Sequence, residues 1–218
     1  MTLFESQVIL GVFSHRTVYL PSLLKSVQKY LPEIPLLVKV ISGPINSNME
    51  LLRQDFLKTS YRYWVFLDDD IQFLNSTIIH DAVSTLISGK FGAVGVYSTF
   101  DPDWAASGYR TEMLTAHEVG WVPGYFIMVD RELVGSVQPD LELPYGNTAV
   151  DTSYCVAIHS LGYPIGISPN VVYHVRKRVV SDEQVARKTN EYLMKKWGEF
   201  YFRNCLPIDN IVGRIPEV

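Results

Sequence analysis

Apolar runs alternate with stretches whose apolar and polar positions follow a helical period, and this alternation organises the N-terminal half of the chain. Gln7–Phe13 is nearly all apolar and rich in branched side chains, as expected of a strand covered on both faces of a parallel sheet. After Ser14, His15 and Arg16, the apolar positions Leu20, Leu23, Leu24, Val27 and Leu31 predict a helix with one buried face, ended by Pro32 and Pro35. Pro35–Ile41 reads as a second strand closed by Ser42, Gly43 and Pro44, and Ser47 with Glu50 predicts a capping box for a helix reaching about Lys58. Tyr63–Leu67 is a third buried strand that runs straight into Asp68, Asp69 and Asp70. Ile78, Ile79, Ala82, Val83, Leu86 and Ile87 predict the next helix, stopped by Gly89, and Phe91–Tyr97 gives a fourth strand.

The rhythm then changes. Residues 98–118 are polar, aromatic and turn-rich, a long loop of the functional kind. Trp121–Val129 reads as a strand with a Pro-Gly irregularity that places it at a sheet edge. A loop over 140–150 precedes a helix over 152–161, stopped by Gly162 and Pro164, and Ile165–Tyr173 is a last strand ending at His174. Ser181 with Gln184 caps a final amphipathic helix through Val185, Tyr192, Leu193, Trp197 and Phe200. Strands alternating with helices over short connections predict an α/β fold: a mostly parallel, Rossmann-like sheet flanked by helices, with ligands beyond the carboxyl ends of its strands.

Composition narrows the partners. The 218 residues carry 19 Lys+Arg against 23 Asp+Glu, a net charge of -4, so no basic field holds nucleic acid or an anionic membrane. Cys155 and Cys205 lie in no Cys-x-x-Cys pair, which points to a reducing compartment and no structural zinc. No export signal and no long apolar run is present, so the expectation is a cytoplasmic protein without a membrane span. With no linker and no repeat, residues 1–218 read as one domain.

Three consecutive carboxylates after a buried strand repel one another, and a divalent cation is the simplest compensation. Alternation along an extended run puts Asp68 and Asp70 toward one site and Asp69 elsewhere. A solvated surface turn is the bland alternative.

Phe66–Ile71, with Asp68 and Asp70, resembles the DxD motif of nucleotide-sugar glycosyltransferases of the glycosyltransferase A fold. Trp121–Val129 is similar to that family's glycine-containing strand beside the acceptor pocket, and Asp151–Ile165 running on to His174 resembles its Glu-Asp, helix, Gly-Tyr and histidine stretch. The resemblance implies Mn²⁺ (or Mg²⁺) held by Asp68, Asp70 and His174, a UDP-sugar donor with GDP next, a glycan or related hydroxyl acceptor, and Asp151 as catalytic base. It also implies a smaller antiparallel acceptor-side portion: about 1–97 for the nucleotide, 98–180 for the acceptor and 181–203 for the C-terminal helix. The family's acidic pair is Val150-Asp151 here, and Asp140 and Glu142 are rival bases. Asp151 also reads as a helix first-turn charge, and His174 as a structural hydrogen bonder. Binding at the carboxyl edge brings Ser14, His15, Arg16, Gly43, Asn46, Asn48, Arg53 and Asp69 toward the nucleotide, with Lys177 and Arg178 toward the diphosphate. Trp104, Tyr109, Trp121 and Tyr125 suit sugar stacking or ordinary packing.

The compact chain also resembles glycosyltransferase domains of large algal DNA viruses, which implies a host cytoplasm, and it reads as a minimal enzyme or as a catalytic domain of a longer protein. The alternatives are a nucleotidyltransferase, an aspartyl-phosphate phosphatase using Asp68 and Asp70, and a non-catalytic sugar- or nucleotide-binding module.

Overall fold

The computed structural model describes residues 5–14, 18–100, 115–146, 148–175, 183–199 and 201. Five strands run one way: β1 (Val8–Ser14), β2 (Leu36–Val40), β3 (Tyr63–Leu67), β5 (Ala93–Thr99) and β8 (Ile165–His174). β4 (Ile71–Phe73), β6 (His117–Val119) and β7 (Phe126–Asp130) run against them. The order across the sheet is β2-β1-β3-β7-β5-β8-β4, with β6 paired to the other half of the same β8 edge. The helices are α1 (Leu20–Tyr30), α2 (Ile45–Leu57), α3 (Ile78–Ser88), α4 (Arg131–Ser136), α5 (Val150–Ser160) and α6 (Glu183–Trp197).

Side-chain alternation along β1 and β3 divides the core in two. Val8, Leu10, Val12, Tyr63, Val65 and Leu67 face α1 and α3. Ile9, Phe13, Trp64 and Phe66 face α2, α4, α5 and α6. Both faces of the central strands are therefore buried, which is why their sequences read as continuous apolar runs.

Three expectations are corrected. Trp121–Val129 is not an edge strand: its ladder begins only at Phe126, after the Pro-Gly stretch, and β7 then lies between β3 and β5. Ser47 does not cap α2, which begins at Ile45 after an extended Pro44, while Glu50 turns to Arg53. The loop over 98–118 loses both ends to strands, since β5 continues through Thr99 and β6 occupies His117–Val119. The Ser181 cap lies outside the described residues.

Candidate active site

Parallel strands set side by side deliver their carboxyl ends to one edge, and the polar residues gather there. Residues 68–70 form the turn that carries the chain from β3 to β4. Asp69 takes the face that Val65 and Leu67 take, and its Oδ2 accepts a hydrogen bond from the buried Ser14 hydroxyl at the end of β1. The same Ser14 carbonyl accepts from Ile41 N at 3.2 Å, so the ends of β1, β2 and β3 are tied together.

Asp70 meets the histidine. Its Oδ1 lies 3.0 Å from His174 Nε2, and its carbonyl accepts from Val175 N at 2.8 Å. The antiparallel ladder pairs Ile71 with His174, which fixes this approach across a separation of more than a hundred residues. Asp70 and His174 are both largely buried, with side chains 14% exposed.

Asp151 comes from α5. The helix opens after Ala149, a left-handed residue at φ 56°, and Asp151 sits in the first turn, where the helix dipole favours a carboxylate. Its Oδ1 accepts from Thr152 N at 2.8 Å and its Oδ2 from Gly124 N at 3.0 Å, so it engages a first-turn amide of its own helix and the stretch before β7 at once. Val150, in place of an acidic partner, is 5% exposed and packs into the core, where a second carboxylate would be desolvated.

Asp68 feels the whole cluster. Burial pushes its carboxyl well above the usual range, and the charges of Asp70, Asp151 and Asp69 push it further the same way. The structure thus brings Asp68, Asp69, Asp70, Asp151, Ser14 and His174 to one place. Among the described residues, no group of three or more His, Cys, Asp or Glu side chains is arranged to hold a metal ion.

Other sequence candidates are placed elsewhere. Arg53 is 5% exposed; its Nε and one terminal nitrogen bond Glu50 at 2.6 and 2.9 Å, and the other bonds Val134 O at 2.8 Å. It therefore joins α2 to α4, which follows the opposite end of β7, and is not turned to a nucleotide. Asn46 is also structural, with Nδ2 on Asp140 O at 2.8 Å, and Asn48 turns its amide to Gly43 O at 3.4 Å. Asp140, a rival base, is held by Ser153 Oγ at 3.3 Å, Tyr192 Oη at 3.1 Å and Lys196 Nζ at 2.9 Å, so it anchors α6. Glu142 stands exposed, 3.5 Å from Tyr192 Oη. Gly43 is exposed at φ 140°, a backbone other residues rarely adopt. His15, Arg16, Trp104, Tyr109, Lys177, Arg178 and Cys205 lie outside the described residues.

One feature escapes sequence reading. The His174 ring stacks on Phe100, centroids 4.9 Å apart at 22°, and lies 5.5 Å from the Tyr125 ring. Nothing in the spacing of residues 100, 125 and 174 signals this meeting.

No helix of the described residues is long and apolar enough to cross a membrane. No family model matches the chain, and no curated protein does. Solved structures do match. A197 from STIV superposes with a TM-score of 0.58 at 16% identity, over 78% of this chain and 86% of that one. The mannosyltransferase PcManGT from Pyrobaculum calidifontis, in complex with GDP-Man and Mn²⁺, gives 0.55 at 14% identity over 79% of this chain. GalNAc-T7, with UDP, GalNAc and Mn²⁺, gives 0.64 at 13% identity over 90% of this chain. The chain spans 58% of the mannosyltransferase and 50% of GalNAc-T7. It has the mixed α/β fold, with a mostly parallel central sheet, that these glycosyltransferases share.

Proposed function

We propose that this chain is a metal-dependent glycosyltransferase that moves a sugar from a nucleotide-diphosphate donor, preferably UDP-linked, to a hydroxyl of a glycan or related acceptor. The observation that carries the reading is the convergence of Asp68, Asp70 and His174 on one sheet edge, with Asp70 and His174 3.0 Å apart and Asp151 held alongside. The neighbours in complex with Mn²⁺ and GDP-Man, or with Mn²⁺ and UDP, support it.

The donor set fits a divalent cation. Carboxylate oxygens with one imidazole favour Mn²⁺ over Mg²⁺, and such ions commonly take one or two protein carboxylates and complete their shell with water and phosphate. Asp68, Asp70 and His174 would hold it, and when bound it would act as a Lewis acid that stabilises the nucleoside-diphosphate leaving group. The mutual repulsion around Asp68 is the electrostatic demand that a cation answers.

The remaining roles belong to the chain. Ser14 fixes Asp69 toward the nucleotide half, where the open backbone of Gly43 admits close approach, and His15, Arg16 and Lys177 complete the contacts to nucleotide and diphosphate. Asp151 is held in place by its two amide bonds, and in an inverting reaction it takes the acceptor hydroxyl proton. Residues 1–97 serve the donor, 98–180 the acceptor, and the setting is the cytoplasm. A phosphatase would carry its nucleophile on the first strand, whereas Asp68 follows β3.

Calorimetric titration of UDP and of GDP, each with Mn²⁺ and with EDTA, tests this on the unsubstituted chain and on Asp70→Ala. Binding of one nucleotide that requires both metal and Asp70 is expected. Equal metal-independent binding, or none, overturns the metal-dependent reading and favours a plain binding module.

A further inference from the structure

A metal-bound imidazole is ordinarily oriented by a hydrogen bond from its second nitrogen to a carbonyl or carboxylate. His174 departs from this. Its Nε2 faces Asp70, while its Nδ1 is buried and has no hydrogen-bond partner among the described residues. Among the described residues, the ring meets two aromatic side chains instead: Phe100 stacked at 4.9 Å and Tyr125 tilted at 5.5 Å.

Tyr125 is itself well anchored. It is 5% exposed, and its hydroxyl donates to Val96 O on β5 at 2.9 Å. The preceding residue, Gly124, donates its amide to Asp151. One short stretch before β7 thus touches the imidazole through a ring and the carboxylate of α5 through a backbone N–H.

We propose that Tyr125 is a positioning residue for His174, whose ring, together with Phe100, replaces the missing hydrogen bond and keeps Nε2 aimed at the metal shared with Asp70. This rests on the metal site proposed above. An imidazole that turns away leaves an oxygen-only site, and oxygen-only sites lose their preference for Mn²⁺ over Mg²⁺. Tyr125 therefore acts on metal selectivity rather than on metal binding in general.

The test uses Mn²⁺ alone, followed by electron paramagnetic resonance of the free ion, with Mg²⁺ as competitor. Outer partners of metal ligands commonly change affinity by about 10- to 100-fold. Tyr125→Leu is expected to weaken Mn²⁺ by about tenfold and Mg²⁺ by less than about twofold, and to diminish the nitrogen coupling of the bound Mn²⁺, moving in the direction of His174→Ala. Tyr125→Phe keeps the ring and should hold Mn²⁺ within about twofold of the unsubstituted chain. Circular dichroism checks folding; should Tyr125→Leu fail to fold, Phe100→Leu reads the same ring support from its other member. Equal weakening of both ions, or unchanged Mn²⁺ affinity and nitrogen coupling in the leucine variants, overturns the role of Tyr125. Mn²⁺ binding that survives Asp70→Ala and His174→Ala overturns the metal site itself.

Discussion

Asp151 owes its place to two backbone donors, Gly124 N and Thr152 N, which bond different carboxylate oxygens, so the single carbonyl oxygen of an asparagine can serve only one of them. Asp151→Asn is isosteric: it keeps the side chain's shape, gives up one of these bonds and removes the base. General-base catalysis is worth about 10²–10⁴ in rate, so transfer should fall by that factor while Mn²⁺-dependent nucleotide binding stays within a few-fold. Retained turnover would show that the proton goes elsewhere. Gly11 poses a packing problem instead. A Cβ there would stand 2.6 Å from Trp64 Nε1, and Trp64 is fully buried, stacked on Phe56 and edge-on to Phe66. The indole has nowhere to go, so Gly11→Ala should cost about 1–3 kcal/mol in chemical denaturation.

At the scale of elements, the join between α2 and α4 rests on a buried ion pair. Burial opposes ionisation of Glu50, but the hydrogen bonds from Arg53 and Gln54 and the Arg53 charge outweigh it and hold the carboxyl below its ordinary value. The folded value thus lies below the unfolded one. This contribution is fully present above the unfolded glutamate value of about 4.3 and is lost as pH falls from there through the lower folded value. Glu50→Gln should flatten that part of the stability curve, and Arg53→Ala, which strands a buried carboxylate, should cost about 3–5 kcal/mol at neutral pH. The same pair shows where sequence reading stops. Arg53 on a helix looks like a free cation, because nothing in its spacing reveals that Val134, eighty-one positions on, offers a carbonyl. Strands covered on both faces, such as β1 and β3, were legible from their unbroken apolar runs, and the acidic triplet was legible because so apolar a strand delivers it. β4, β6 and α4, at three, three and six residues, are too short to establish a period. β7 looked like an edge because Pro123 and Gly124 sit beside it, yet the ladder starts only after them.

Taken as a whole molecule, the acidic edge is joined to the fold on every side. Asp69 is tied to β1, Asp70 to β8, and Asp151 to the approach of β7, so an ion and a nucleotide seated there would bridge both halves of the sheet. Ligand that binds only the folded chain stabilises all of it, not the loop it touches. At free ligand about a hundred times its dissociation constant the gain is about 2.7 kcal/mol. For a chain of this size each kcal/mol moves the thermal midpoint by about 2–4 °C, so the proposed donor with Mn²⁺ should raise it by about 5–10 °C. EDTA should remove the shift. Asp70→Ala should remove it too, measured against the variant's own midpoint without ligand, which gains from the loss of a charge that repels Asp68 and loses from the broken contact to His174. Differential scanning calorimetry reads both quantities in one series. A midpoint that rises with nucleotide in EDTA as much as in Mn²⁺ would separate nucleotide binding from the acidic edge and leave the carboxylates without their proposed cation.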